Sequence, residues 1–178
     1  MKPLKDRGGV LQVHSHKLFI TAIFFCAVVL SPSRAHAYYI YQPASIVIGQ
    51  TDFSSNSSGV SQGKFANNTL RSPFVDPKGR LILSDQSNNR VLIWNTVPTK
   101  NGVSADLVLG QADFVSSSAN RGGSRVANTL NAPMGIWSDG TKLIVVDDVN
   151  HRVLLWNIFP ITNGQAADIV IGGRYPLN

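Results

Sequence analysis

The sequence contains no glutamate, one cysteine and four histidines among its 178 residues. Cys26 and three of the histidines lie within the first 37 residues, so the body of the chain keeps only His151. Zinc sites usually draw on several His or Cys ligands, and acid–base or thiol catalysis needs carboxylate pairs, histidine or cysteine. The body of the chain is therefore predicted to hold no catalytic site, no metal, no cofactor and no disulfide framework.

The first 37 residues have the layout of a secretory signal peptide. Four basic residues between Lys2 and Lys17 precede an apolar run over Leu18–Leu30. Ala35-His36-Ala37 then places small residues at the two positions that a signal peptidase recognises. We expect cleavage after Ala37, a mature chain that begins at Tyr38, and a secreted or periplasmic location.

Two membrane anchors are the alternatives to cleavage. A transmembrane helix over the apolar run would span about 20 Å at ~1.5 Å per residue, less than the ~30 Å hydrocarbon core. A lipid anchor at Cys26 is disfavoured because that residue lies inside the apolar run, after Phe25 rather than a small residue. The chain is expected at a membrane only if residues 1–37 are retained.

Positive charge is concentrated in this leader. Without residues 1–37 the chain keeps 11 basic and 9 acidic residues, a net charge of +2, although the whole sequence carries +6. So small an excess predicts no nucleic-acid partner and no surface for anionic membranes.

What the chain does contain is an internal repeat of about sixty residues. Ser45–Phe53 (SIVIGQTDF) matches Asp106–Phe114 (DLVLGQADF) and, in truncated form, Asp168–Gly172 (DIVIG). The shared glycines lie 61 and 62 residues apart.

Two further blocks recur between these markers. The stronger one is Asp85–Asn95 (DQSNNRVLIWN), which matches Asp147–Asn157 (DDVNHRVLLWN) at a constant offset of 62. The weaker one pairs Asn68–Leu70 with Asn128–Leu130.

Each unit contains four short runs rich in Val, Ile and Leu, separated by turn residues. None has the ten or more residues of helical period that an α/β crossover requires. The pattern predicts an all-β fold of four-stranded antiparallel propeller blades, at about 69–114 and 129–173, with a preceding outer strand at 44–53. The predicted strands are Pro73–Asp76, Arg80–Ser84, Arg90–Trp94 and Asp106–Leu109, then Met134–Trp137, Lys142–Val146, Arg152–Trp156 and Asp168–Ile171.

The shared Asp-x-x-Asn-x-Arg turn is predicted to be structural. Asp and Asn can satisfy backbone donors in a tight connection, and an Arg can return to the Asp with a charge-assisted bond. Ligand contact by these loop side chains is the alternative. The residues concerned are Asp85, Arg90, Asp147 and Arg152.

Residues 44–173 resemble NHL-repeat β-propeller proteins in the proline, the Lys-Gly or Asp-Gly turn, the strand that ends in Asp, and Asn-x-Arg-Val-Leu-x-Trp. The period is longer than the usual unit of that family, and the extra residues at 54–68 and 115–128 are predicted to form long loops on one face. The resemblance implies a propeller fold and a tendency to bind proteins, sugars or RNA. Members also include lyases and sensor domains of membrane proteins, so fold alone does not choose among these functions.

Two blades cannot close a ring that typically needs four to eight. The chain is therefore either a fragment of a longer propeller or one of several copies that assemble. A two-blade piece leaves an apolar face open at both ends, so the mature chain is not expected to be a stable monomer. In an assembly, Ser45–Gly49 would complete the blade of a neighbouring copy, and three chains would give six blades.

Gly59–Gly63 (GVSQG) matches the Gly-x-Ser-x-Gly nucleophile elbow of hydrolases. An elbow needs a buried strand before it and a helix after it, whereas Ser- and Asn-rich sequence flanks this one. When the two repeat units are aligned with each other, Ser61 pairs with Gly122 of the second unit. The match is interpreted as accidental.

The remaining candidates are also interpreted as structural. His151 stands where the first unit has Asn89, and is predicted to be a turn residue rather than a metal ligand. Asp52 and Asp113 could offer carboxylates to Ca²⁺, but no Asp-x-Asp-x-Asp-Gly loop is present, so they are predicted to cap turns.

The aromatic residues suggest packing more than ligand binding. Trp94 and Trp156 follow the same apolar strand pattern, and are predicted to pack between blades rather than stack on a sugar. Tyr38–Tyr41 is predicted either to cover an exposed sheet edge or to dock a partner.

The sequence therefore predicts an exported binding or scaffold module of the NHL type that is not an enzyme. Its ligand, a protein or a carbohydrate, is unknown, and a homo-oligomer that closes a ring is expected. Two alternatives stay open. One is a partial propeller of a lactonase- or lyase-like enzyme, whose metal would need ligands from several blades, and the other is a fragment without independent function.

Overall fold

Eight short strands form two four-stranded antiparallel sheets in residues 42–67 and 70–173, the part of the chain that the computed structural model describes. The strand order follows the chain in each sheet. The first sheet consists of β1 (Leu70–Val75), β2 (Leu81–Asp85), β3 (Arg90–Trp94) and β4 (Leu107–Leu109), and the second of β5 (Pro133–Ser138), β6 (Leu143–Asp147), β7 (Arg152–Trp156) and β8 (Ile169–Gly172).

The all-β fold with four strands in each unit confirms the prediction. The largest difference in bounds is at β1, which begins at Leu70 rather than at Pro73. A β-bulge between Arg71 and Phe74 shifts the register there, and Ser72 adopts a positive φ of 46°. A proline is tolerated at a bulge in an edge strand because its missing N–H is not needed for pairing.

The central hairpins of the two sheets have the same register. Asp85 pairs with Arg90 at the turn of the first hairpin, and Asp147 pairs with Arg152 at the turn of the second. The first turn is a short 3₁₀ segment, Gln86–Asn88, that ends in a left-handed residue. Asn89 (φ 51°) and His151 (φ 53°) occupy this left-handed position, which Asn and His enter more easily than most residues.

The two sheets pack against each other through one face each. Because side chains alternate along a strand, one set of first-sheet residues points towards the second sheet and the other set points away. Each fully buried Leu or Ile in such a layer stabilises the fold by about 1.5–3 kcal/mol. The cluster between the sheets contains Ile82, Val91, Ile93, Leu107, Leu109, Leu130, Leu143, Val145, Leu154, Trp156, Phe159 and Ala167.

Arg80 links the two sheets at one edge of this cluster. Its Nε donates to Asp76 Oδ2 at 2.7 Å, and its Nη2 donates to the carbonyl of Gly140 at 2.7 Å, in the loop between β5 and β6. The guanidinium also lies 3.2 Å from the ring centroid of Phe159, close enough for a cation–π interaction.

The outer face of the first sheet is buried as well, under the segment that precedes β1. Phe65 from that segment belongs to a second buried cluster, and Ile48 and Phe114 pack against this cluster. The prediction that an apolar face is open at both ends is therefore wrong for the first sheet. The second cluster consists of Phe65, Leu81, Leu83, Leu92, Trp94, Ala105 and Val108.

The predicted outer strand at 44–53 is not a strand in the structure. A strand is defined by pairing with a neighbour, and the described residues provide no strand partner for this segment. Its backbone is held in another way: the Val47 N–H donates to Asn101 Oδ1, and the Val47 carbonyl accepts from the Gly102 N–H, both at 3.0 Å.

Both sheets belong to one compact unit, Pro43–Asn178. A search of the described residues finds no helix long and apolar enough to cross a membrane. The predicted signal peptide at 1–37, the Tyr38–Tyr41 segment, and Asn68 and Thr69 of the weaker repeat block lie outside the described residues.

Candidate functional site

The recurring Asp and Arg residues form two buried ion pairs. Arg90 Nε lies 2.9 Å from Asp85 Oδ2, and Arg152 Nε lies 2.7 Å from Asp147 Oδ2. The side chains of Asp85, Arg90 and Asp147 are fully buried, and that of Arg152 is 5% exposed. The predicted return of each Arg to its Asp is confirmed.

These ion pairs also fasten each hairpin to the loop before it. Arg90 Nη2 donates to the carbonyls of Ser61 (3.0 Å) and Lys64 (2.8 Å), and Asp85 Oδ1 accepts from the Ala66 N–H (3.1 Å). The same bonds recur in the second unit, in which Arg152 donates to Val126 and Thr129 and Asp147 accepts from Asn131. Through these bonds to the backbone, the four residues hold each hairpin to the loop before it.

The hydrogen bonds correct the sequence alignment of the loops. Ser61 corresponds to Val126 and not to Gly122, because the carbonyls of Ser61 and Val126 accept from the equivalent arginines, Arg90 and Arg152. Likewise Phe65, rather than Leu70, corresponds to Leu130: each of these two side chains packs over a glycine, Gly49 or Gly110. The loops differ in length on both sides of this segment, which the sequence alignment could not locate.

The Gly-x-Ser-x-Gly match has no elbow geometry. Ser61 lies in a loop and forms an isolated bridge with Lys64. No strand precedes it and no helix follows it in the described stretch 42–67. The interpretation of this match as accidental agrees with the structure.

Asp52 and Asp113 cap turns, as predicted. Asp52 Oδ1 accepts from the N–H groups of Ser54 (2.8 Å) and Ser55 (2.7 Å). Asp113 Oδ1 accepts in the same way from the N–H groups of Val115 (2.9 Å) and Ser116 (2.7 Å). The Ser55 hydroxyl and these two N–H groups stabilise the charged form and hold the pKa of Asp52 below its usual value. The Ser116 hydroxyl and the neighbouring N–H groups lower the pKa of Asp113 in the same way.

Both tryptophans are buried, but the predicted packing between the two units holds only for Trp156, because Trp94 belongs to the second cluster on the outer face of the first sheet. Each indole is 1% exposed. The indole N–H of Trp94 donates to the Val103 carbonyl (3.0 Å), and that of Trp156 to the Gln165 carbonyl (3.2 Å). Neither ring presents a face on which a sugar could stack.

Within the described residues, no group of three or more His, Cys or Asp side chains is placed to hold a metal ion. His151 is an exposed turn residue. Its counterpart Asn89 donates to the Ser117 carbonyl (2.9 Å) and accepts from the Ala132 N–H (2.8 Å). Both partners lie in the segment between β4 and β5.

The comparisons with known proteins give no family. No family model matches this sequence, and no curated protein matches it.

The main exposed feature is the outer face of the second sheet. Seven apolar side chains from its four strands point to this side, as the pairing of Ile144 with Leu155 and of Val153 with Ile171 shows. We call this surface the open face. It consists of Trp137 (47% exposed), Ile144, Val146 (37%), Val153, Leu155, Ile169 (43%) and Ile171 (55%).

The same surface of the first sheet is buried. Ile82, Val91, Ile93 and Leu109, which correspond to Ile144, Val153, Leu155 and Ile171, are each 0% exposed because the second sheet covers them. The open face therefore has the chemistry of a sheet-to-sheet interface.

A cavity of about 260 Å³ adjoins β8. It is lined by Arg125, Val126, Ala127, Arg152, Val170, Gly172 and Gly173, and we call it the Arg152 cavity. In the first unit Phe114 packs against the cluster that contains Val108, the counterpart of Val170, and its carbonyl accepts from Arg90 Nη1 at 2.6 Å.

The sequence contains a signal for both features. Strands β6 and β7 are apolar at nearly every position rather than at alternate ones, which is typical of strands buried on both faces. The third copy of the repeat motif also stops after its glycine, so the phenylalanine that Phe114 provides in the first unit has no equivalent there.

Proposed function

We propose that this chain is an exported, non-catalytic binding or scaffold module built from NHL-like propeller blades, and that it works by docking a protein on the open face. The observation that carries the proposal is the contrast between matched positions. Residues that are fully buried between the sheets in the first unit are half-exposed or exposed on the open face.

The composition of the open face favours a protein partner over a sugar. Six of its seven side chains are aliphatic and the seventh is Trp137. Sugar sites need hydrogen-bonding groups around an aromatic platform, whereas contiguous apolar surface on a sheet is typical of protein–protein contacts. The Asp and Arg residues, which could bind a polar ligand, are instead engaged with the backbone.

A photo-crosslinking amino acid placed at Val146 should form covalent adducts with a defined protein in the compartment where the chain is exported. Val146 lies on the open face, so a docked protein would lie within reach of the probe. The adducts are detected as mass shifts on a gel and identified by mass spectrometry of the excised bands.

The matched control carries the same amino acid at Thr99, which is exposed but lies on a turn of the first unit. This control should give no adduct of defined mass. Equal adducts at both positions, or none at Val146, would contradict the proposed docking function.

Export is the second part of the proposal, and it predicts that the mature chain begins at Tyr38. Intact mass spectrometry of protein recovered outside the cytoplasm should give the mass of residues 38–178. The variant Ala37→Arg, which removes a small residue from the cleavage site, should retain residues 1–37. A wild-type chain that keeps these residues in a membrane fraction would show that the leader is an anchor.

A further inference from the structure

The segment Ser45–Phe53 contacts the first unit in the way that β4 and the residues after it contact the second. The Val47 N–H and carbonyl bond to Asn101 and Gly102, and those of Val108 bond to Asn163 (3.1 Å) and Gly164 (2.8 Å). Gly49 and Gly110 share a left-handed conformation, with φ of 88° and 85°. Ser45–Phe53 therefore occupies, relative to the first unit, the place that β4 and the turn after it occupy relative to the second unit.

This segment lacks several of the contacts that its counterpart makes. Val108 also pairs with Leu92 in β3, whereas no described strand pairs with Val47. Gln111 Nε2 donates to the carbonyls of both Ser118 and Asn89, whereas the described bond of Gln50 Nε2 goes to Ser57.

The phenylalanines show the same difference. Phe114 packs on the first sheet beside Arg90. Phe53, at the matching position of the motif, is 58% exposed. The missing contacts of Ser45–Phe53 are therefore those with a strand such as β3 or β7 and with the pocket beside its arginine.

The second sheet provides those contacts. The Arg152 cavity is lined by Arg152 and Val170, which correspond to Arg90, to which the Phe114 carbonyl bonds, and to Val108 of the cluster against which Phe114 packs. The fourth strand already present, β8, is an incomplete version of the motif: Gly173 stands in place of the glutamine, and Pro176 stands 62 residues after Phe114. Ile169 and Ile171 of β8 are also exposed.

We propose that the open face receives a second copy of this chain, whose Ser45–Phe53 replaces β8 on β7 and places Phe53 in the Arg152 cavity. This inference rests on the proposed docking function and names its partner. Ile46, Val47 and Ile48 of the second copy take the places of Ile169, Val170 and Ile171. Its Phe53 carbonyl accepts from Arg152, and its Gln50 Nε2 donates to the carbonyl of His151.

The arrangement follows from how the two units of one chain pack. The first sheet of the second copy covers the open face as the second sheet covers Ile82, Val91 and Ile93. It also corrects the expectation that Ser45–Gly49 fills a vacant place in a neighbouring sheet, because β8 occupies that place and has to be displaced. The contact is head-to-tail, so copies join into a ring or a short filament.

Sedimentation velocity of the purified exported chain tests the assembly. Wild type should be associated at micromolar concentration. Phe53→Ala should raise the dissociation constant at least tenfold, because it removes the aromatic anchor from the interface. The control Ile158→Ala removes another exposed side chain and should leave association unchanged. Since the Phe53 side chain is exposed within its own chain, the two variants should have the same melting temperature at a dilution at which neither associates.

Binding of a fluorescent peptide with the sequence of residues 44–57 provides an independent measurement. The peptide should bind the chain by anisotropy, its Phe53→Ala form should bind at least tenfold more weakly, and Ala127→Trp in the protein should block binding by filling the cavity. If Ala127→Trp does not fold, the comparison of the two peptides still decides the outcome.

A monomeric wild-type chain that binds neither peptide would overturn the inference, and so would assembly that Phe53→Ala leaves unchanged. Adducts from Val146 with a different protein would, in that case, still support the docking function. Adducts with the mass of two copies support both proposals.

Discussion

Replacing Asp85 with alanine should lower the free energy of unfolding by about 3–5 kcal/mol, because it leaves the guanidinium of Arg90 buried without its counter-charge. Arg90 is 0% exposed and Asp85 accepts its Nε–H at 2.9 Å. The same carboxylate accepts from the Asn88 side chain (2.8 Å) and from the Ala66 N–H, so these donors lose their partner too. Urea denaturation followed by tryptophan fluorescence measures the change.

Two further variants separate the ion pair from a general effect of the substitution. Asp52→Ala removes an exposed turn cap and should lower the urea midpoint much less than Asp85→Ala does. The double variant Asp85→Leu, Arg90→Met removes both charges together and should recover part of the loss. A midpoint for Asp85→Ala equal to that of Asp52→Ala would show that the buried pair contributes little.

Replacing Gly110 with alanine should lower the free energy of unfolding by about 2–5 kcal/mol. Gly110 has a φ of 85°, which a residue with a side chain adopts at a cost of about 1–2 kcal/mol. A Cβ atom there would also lie 2.6 Å from Leu130 Cδ1 and 2.8 Å from the backbone oxygen of Asn89. Forcing these groups apart in a packed core costs a further ~1–3 kcal/mol.

Gly79→Ala is the matched control for the backbone contribution alone. Gly79 has a φ of 79°, and its Cβ would meet no heavy atom within 4 Å. It should lose about 1–2 kcal/mol. Thermal and urea denaturation of both variants would test the argument, and equal losses would show that the contact with Leu130 relaxes freely.

The strands and the buried ion pairs could be predicted from the sequence because each depends on residues close together in the chain. Short Val- and Ile-rich runs separated by turn residues specify hairpins locally. Asp85 and Arg90 recur as Asp147 and Arg152 at the same spacing, and a hairpin turn brings such residues together whatever surrounds them. Trp94 and Trp156 end the same apolar run in each unit, from which their burial could also be predicted.

Which loop residues of the two units are equivalent could be determined only from tertiary contacts. Identical letters suggested that Leu70 corresponds to Leu130, yet Leu70 begins β1 and is 42% exposed. Phe65 takes the corresponding place because it packs over Gly49 as Leu130 packs over Gly110. Because the loops of the two units differ in length, residues at different points of the repeat occupy the same place in the fold. The packing over the glycine therefore identifies the equivalent residues, and the order of residues in the sequence does not.

Burial of the sheet faces was likewise decided only by the tertiary structure. The strands RVLIW and RVLLW differ by one aliphatic residue, but β3 is buried at every position whereas β7 is buried only at alternate positions. The sequence determines that both strands can be covered on two faces, because both are apolar throughout. Whether they are covered depends on a neighbouring sheet: β3 has the second sheet on one side and Ile48 and Phe65 on the other, and the open face of β7 has no such layer among the described residues.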